Sequence, residues 1–333
     1  MTHTQPLSTR CALAAARLVA GCAVLALAAL PVRAQTFPSK PIEIINSFSP
    51  GGTSDLNLRA LETASERVFG QRTIQTFKPG GGGISGTTEV AHAKPDGYKL
   101  LVVTSGELTA GPNLAKTTYT LDSFTFLGRL SSTPYGFVVL NDSPWKDFNS
   151  FRNATIAEPG KFTMGTAPRG GVFLAAQHVI QQSKIKVTVV PFGGSGPYVT
   201  AVLGGHVNAA LAPLPSIEAH LKAGTLRLLA ITGSSRVPDH ADVPTLKELG
   251  IDAPIVLWVG LVAPRDVPPD RVKFLRDGIA RISKDPTYIG TADKLGIDHS
   301  YTSAGEFEAQ VRQEDKDFKV LVQRLGLAPK DDR

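Results

Sequence analysis

The chain has 333 residues, 42% of them hydrophobic, with 35 basic and 29 acidic side chains and a formal net charge of +6. That length allows a large core and suits two lobes better than one, while the modest charge, with no basic run interleaved with aromatics, argues against nucleic acid as a partner. The two cysteines, Cys11 and Cys22, both lie near the N-terminus, so no disulfide framework is available to the rest of the chain.

Residues 1–17 carry Arg10 and Arg17 and no acid, residues 18–30 form an apolar run, and Val32-Arg33-Ala34 puts small residues where a signal peptidase reads. This predicts a secretory signal peptide over 1–34, with Gln35 the first mature residue and the periplasm as destination. The run is too short for a membrane span. Val19-Ala20-Gly21-Cys22 is similar to a lipoprotein box, but Arg17 and the hydrophobic residues after Cys22 argue against anchoring there. Removing 34 residues from 333 leaves 299 without cysteine, and losing Arg10, Arg17 and Arg33 leaves 32 basic residues against 29 acidic, or +3.

The first strand, over 42–45, leads into Ser47-Phe48-Ser49-Pro50-Gly51-Gly52-Thr53-Ser54-Asp55, and then Leu56, Ala60, Leu61, Ala64 and Val68 share one helical face. Gly51 and Gly52 let the backbone approach a ligand, and Thr53, Ser54 or Asp55 can cap the helix. Its first amides and the positive end of its dipole suit an anion. An ordinary capped turn has the same sequence pattern, and recurrence is what favours binding.

The pattern does recur. Strand 73–77 runs into Lys78-Pro79-Gly80-Gly81-Gly82-Gly83 and a helix over 84–93, and strand 100–103 ends in Thr104-Ser105-Gly106. Residues 137–140 cross into a second lobe that begins near Asn141. There, strand 162–165 leads into Thr166-Ala167-Pro168-Arg169-Gly170-Gly171 and a helix through His178. Strand 187–191 leads into Phe192-Gly193-Gly194-Ser195-Gly196-Pro197 and a helix over 198–203. Strand 207–211, a helix around 216–222 and strand 226–231 follow, and the apolar run 255–262 returns to the first lobe. The prediction is an α/β protein with mostly parallel sheets, two crossovers, and a cleft where the carboxyl ends of the strands face each other. Lobe 1 comprises 35–139 and 258–333, and lobe 2 comprises 140–257. Val272, Leu275, Ile279 and Ile282 mark one helix. A last helix opens with Ser303 and Glu306 in capping-box spacing and buries Phe307, Val311, Phe318, Leu321 and Leu325. Its charged residues 314–319 are predicted to be a solvated face.

Little here is built for turnover. His92, His178, His206, His220, His240 and His299 show no H-E-x-x-H and no i, i+4 pair, and the four-glycine run lacks the context of a dinucleotide loop, so no metal or cofactor is predicted. Ser195 stands one glycine short of a nucleophile elbow. The order Ser195, Asp239 or Asp242, then His299 keeps an exported hydrolase as the alternative function. Arg169 is a full positive charge among glycines, either a surface arginine at a loop tip or a guanidinium able to hold a carboxylate in a bidentate pair.

With these loops placed, the chain resembles the periplasmic solute receptors of the tripartite tricarboxylate transporter system, the Bug-type family. The resemblance rests on Lys40-Pro41-Ile42 through Asp55, Lys78-Pro79-Gly80 to Gly86, Pro95-Asp96-Gly97-Tyr98 and Pro191 to Pro197. Leu203-Gly204-Gly205-His206-Val207, Asp242-Val243-Pro244-Thr245 and Trp258-Val259-Gly260-Leu261-Val262-Ala263-Pro264 extend it over nearly all of the mature chain. It implies a monomeric type II Venus flytrap that delivers a carboxylate to an inner-membrane permease. It also implies ligand contacts from Phe48, Ser49, Gly52, Thr53, Ser54 and Asp55, and from Thr166, Arg169, Gly170, Phe192 and Ser195, with Ser105 added after the third strand. Thr53 replaces a frequent third glycine, Phe192 a common tyrosine, and Asn208 and Ala212 common acids. The missing acids favour a ligand without an amine. The expected ligand is a dicarboxylate, one acid on the first loop and the other on Arg169, and a rigid aromatic one would suit a lining of Phe48 and Phe192.

Overall fold

The computed structural model describes residues 37–329, and the predicted signal peptide and the Cys22 alternative lie outside the described residues. β1 (Ile42–Asn46) feeds α1 (Thr53–Phe69), which begins at Gly52 and stops at Gly70, whose φ of 70° suits glycine. β2 (Thr73–Phe77), α2 (Ile84–Ala91) and β3 (Lys99–Thr104) follow, then a π-type turn over Gly106–Ala110 and the short α3 (Gly111–Leu114). The 17-residue β4 (Phe124–Leu140) leads to α4 (Phe148–Ala157), β5 (Phe162–Thr166), α5 (Gly171–Ser183) and β6 (Val187–Pro191). Next come α6 (Ser195–Leu203), β7 (Ala209–Pro213), α7 (Leu214–Lys222) and β8 (Leu226–Ile231). β9 (Val256–Pro264), α8 (Pro269–Ile282), α9 (Pro286–Lys294) and α10 (Ala304–Arg324) complete the described chain. No helix among the described residues is long and apolar enough to cross a membrane.

The strands run in the order β2-β1-β3-β9-β4-β7-β5-β6, with β8 also on β4. β1 pairs in parallel with β2 and β3, and β5 with β6 and β7, as crossovers through helices require. β9 is antiparallel to β3 and β4, and β4 to β7 and β8. The βα units are therefore parallel, as expected, and the centre of the sheet is antiparallel. β4 serves both halves: residues 124–134 pair with β9 and residues 135–140 with β7 and β8, so the strand changes partners at Pro134 and Tyr135. Register shifts at Phe126/Gly128, Arg129/Ser131 and Phe137/Val138 mark bulges that let so long a strand bend.

Each half has its own core. Ile45, Leu101, Val103, Trp258 and Phe307 pack under the first group of strands, and Val138, Tyr198, Val202, Ala210 and Ile231 under the second. A fully buried side chain of this size contributes about 1.5–3 kcal/mol. A third cluster joins Phe318 and Val322 of α10 to Leu174 of α5, which ties the C-terminal helix to the second half. The predicted capping box of α10 is present: Ser303 Oγ accepts from Glu306 N, and the Glu306 carboxylate accepts from Ser303 N at 3.1 Å.

One expectation for α10 fails. Glu314 is not on a solvated face but half-buried with its carboxylate turned inward, accepting hydrogen bonds from Thr109 Oγ1 at 2.7 Å and Trp258 Nε1 at 2.8 Å.

Candidate ligand-binding site

The loop after β1 is braced by its own polar atoms. Fully buried Asn46 accepts from Phe48 N and from Ser54 Oγ, both at 3.1 Å, which fixes the two sides of the loop. Asp55 accepts from Gly51 N at 2.8 Å and holds Arg59 with both oxygens, at 2.8 and 3.1 Å. The carboxylate expected to touch ligand is thus committed to the loop and to its own helix. Nor does Thr53, Ser54 or Asp55 supply a side-chain cap: Gly52 is the N-cap, in extended conformation, and no side chain caps the helix there.

Glycines from the two halves meet closely. A Cβ on Gly170, whose φ is 103°, would stand 3.0 Å from Gly106 Cα, and one on Gly196 would stand 2.7 Å from Pro50 O. Ser49 N donates to Gly193 O at 3.4 Å. The four-glycine run does the same work, since a Cβ on Gly82 would stand 2.9 Å from Arg169 Cβ and one on Gly83 2.6 Å from Glu107 Cγ. Several of the recurring glycines are therefore explained by backbone approaching backbone or side chain.

Between these loops lies a narrow cleft of about 50 Å³. Of the predicted contacts, Phe48, Gly52, Thr53, Ser54, Arg169, Gly170 and Ser195 line it. Ser49 packs on Gly193. Ser105 and Thr166 are fully buried behind the lining, where Ser105 interacts with Tyr135 and the Thr166 hydroxyl has no partner. Phe192 packs into the core of the second half and takes no part in the lining, so the aromatic pair expected with Phe48 does not form. Its place is taken by Tyr135 and Tyr198, which sequence reasoning missed along with Asn46 and Ser216. Ser216 links the halves: its Oγ is 2.8 Å from Thr53 Oγ1 and donates to Ser195 Oγ at 2.9 Å. The Pro213-Leu214-Pro215-Ser216 turn, again polar after a strand, was the available signal for Ser216. Tyr135 carried none.

Arg169 is the one charged side chain among the cleft's described lining residues. Behind the wall, Glu107 accepts from Thr104 N at 2.9 Å and Thr104 Oγ1 at 2.6 Å, its other oxygen has no partner, and burial pushes its carboxyl up to about 7. Burial pushes Glu314 up to about 7 as well. Asn208, read as a lost acid, accepts from Thr163 N at 2.8 Å and braces β5, while Ala212 is buried in the core. Neither lines the cleft, so the missing acids carry no information about the ligand. Among the described residues no histidine partners Ser195: Ser216 donates to it, and His299 pairs with Asp293 at 3.1 Å. No cluster among the described residues could hold a metal ion.

An α/β fold whose halves share β4 and close glycine loops over a cleft with one arginine is that of a two-lobed periplasmic binding protein. Residues 57–327 match the model of the tripartite tricarboxylate transporter family receptor, and the chain belongs to that family. It is 30% identical over 320 residues to a protein encoded in the gbd 5' region of Cupriavidus necator, covering 95% of this chain and 97% of the relative. Over 256 residues it is 30% identical to protein BugT of Bordetella pertussis, covering 74% of this chain and 77% of BugT. The structure of MatC from Rhodopseudomonas palustris, solved with bound malate, superposes with a TM-score of 0.81 at 26% identity, covering 86% of this chain and all of MatC.

Proposed function

We propose that this receptor captures a dicarboxylate in the cleft, after export and removal of residues 1–34, and presents it to an inner-membrane tripartite tricarboxylate-type permease. The observation that carries the reading is Arg169, a single cation that shares the lining with hydroxyls and the uncapped start of α1, in a lining otherwise free of charge. One acid is held by the loop from Ser49 to Ser54 and the other by Arg169. The malate bound to MatC supports a ligand with two acids. The moving bodies are 35–139 with 258–333 and 140–257, a division supported by the change of partners within β4.

A thermal-shift screen of mono-, di- and tricarboxylates, aliphatic and aromatic, tests this. A dicarboxylate at about a hundred times its Kd should stabilise the fold by ~2.7 kcal/mol and be recovered unchanged. Release of a product would favour the hydrolase instead, and no shift with any carboxylate would remove the reading.

A further inference from the structure

Of the buried hydroxyls beside the cleft that the fold leaves underused, two converge on one point. Tyr135 and Ser105 are both 0% exposed, and their hydroxyls interact with each other while no other group of the fold hydrogen-bonds either one. Buried polar groups are nearly always fully satisfied, so two hydroxyls left only to each other beside one cleft require an explanation. They come from different elements, Ser105 from just beyond β3 and Tyr135 from the point where β4 changes partners. They converge on Gly171, where a Cβ would collide with Ser105 Oγ and stand 3.4 Å from Tyr135 Oη. Gly171 and Tyr135 both line the cleft. Tyr135 is also firmly placed: its N–H donates to Thr232 Oγ1 at 2.9 Å, and its carbonyl accepts from Thr232 N at 2.8 Å. A hydroxyl pair fixed beside a position where only glycine fits, with bonding capacity left over, is preorganised to receive an oxygen from outside the chain.

We infer that Tyr135, backed by Ser105, forms a subsite for an uncharged ligand oxygen, a hydroxyl or keto group on the carbon chain. The receptor then selects hydroxy- or oxo-dicarboxylates over their deoxy analogues. This rests on the dicarboxylate reading above and adds what distinguishes one such acid from another. The choice of a neutral oxygen follows from charge. The acids that act electrostatically on Tyr135 are Glu107 and Glu314, whereas the cation, Arg169, enters from the loop after β5. A carboxylate seated at Tyr135 would add a third acid to that neighbourhood, and a hydroxyl or carbonyl would not. A hydroxyl both donates and accepts, so the pair serves either group.

Calorimetric titration of the wild-type protein, Tyr135→Phe and Ser105→Ala with two matched pairs tests the inference: malate with succinate, and 3-oxoadipate with adipate. The wild-type protein should bind the oxygenated member of a pair at least about tenfold more tightly, because a site built to hydrogen-bond an oxygen discriminates against the analogue lacking it. Tyr135→Phe should close most of that gap by losing affinity for the oxygenated member, with far less change for the deoxy one, and Ser105→Ala should act in the same direction. The melting temperature of Tyr135→Phe without ligand should fall little, since the lost hydroxyl had only Ser105 beside it. Equal wild-type affinity within each pair, an equal loss for both members, or a melting temperature lowered as far as by a core truncation would overturn the subsite and leave dicarboxylate capture standing. Failure of the wild-type protein to bind any of the four acids would overturn both.

Discussion

Glu107 shows how a single residue sets a measurable property of the receptor. It is fully buried, its carboxylate accepts from the Thr104 amide and hydroxyl, and burial raises its carboxyl from about 4.5 to about 7. The folded state therefore binds a proton more tightly than the unfolded chain. Its favourable contribution is complete below about pH 4.5 and is lost as pH rises toward 7, a change on the order of 3 kcal/mol for such a shift. Glu314 acts over the same window. Urea unfolding between pH 5 and 8 should show wild-type stability falling with pH, and Glu107→Gln should lose roughly half of that slope. Identical slopes would mean that Glu107 does not titrate there. Sequence alone could not foresee this. An isolated glutamate after Ser105-Gly106 reads like any surface acid, and the same misreading placed Glu314 in solvent. Burial of a lone acid is decided by distant partners, here Thr109 and Trp258 for Glu314.

At the scale of elements, the loop between β1 and α1 was legible because its chemistry is local. Gly51 has a φ of 81°, and Gly52 must leave room for Ser195 Oγ, which would lie 3.0 Å from a Cβ. Those demands select glycine whatever the rest of the chain does. The role of Asp55 was misread for the converse reason: a cap and a brace share a sequence, and only the 2.8 Å bond from Gly51 N and the Arg59 pair distinguish them. Asp55→Ala should cost ~1–2 kcal/mol, read as a lower urea midpoint. It should also weaken carboxylate binding by releasing Gly51, whereas Asp55→Asn, which keeps an acceptor, should retain more of both. Unchanged affinity in the alanine variant would show that the loop needs no brace. α9 escaped sequence reading because only Tyr288 and Ala292 are buried in it, too few to make a stripe.

At the scale of the molecule, the alternation of strands and helices was enough to predict two βα halves with a return of the chain near β9. The manner of their joining was not legible, because it depends on one 17-residue strand pairing with different partners along its length and on α10 reaching Leu174 of α5. Neither leaves a local signature. The cleft that results joins glycine loops remote in sequence and leaves Arg169 as the charge within it. Calorimetric titration of the wild-type protein and Arg169→Gln with matched mono- and dicarboxylates addresses that arrangement most directly. A charge-assisted bond in a closed cleft contributes ~1.5–3 kcal/mol, so the variant should bind dicarboxylates roughly tenfold to a hundredfold more weakly while monocarboxylate binding changes far less. An equal loss for both classes, or none for either, would contradict the assignment of Arg169 to the second acid.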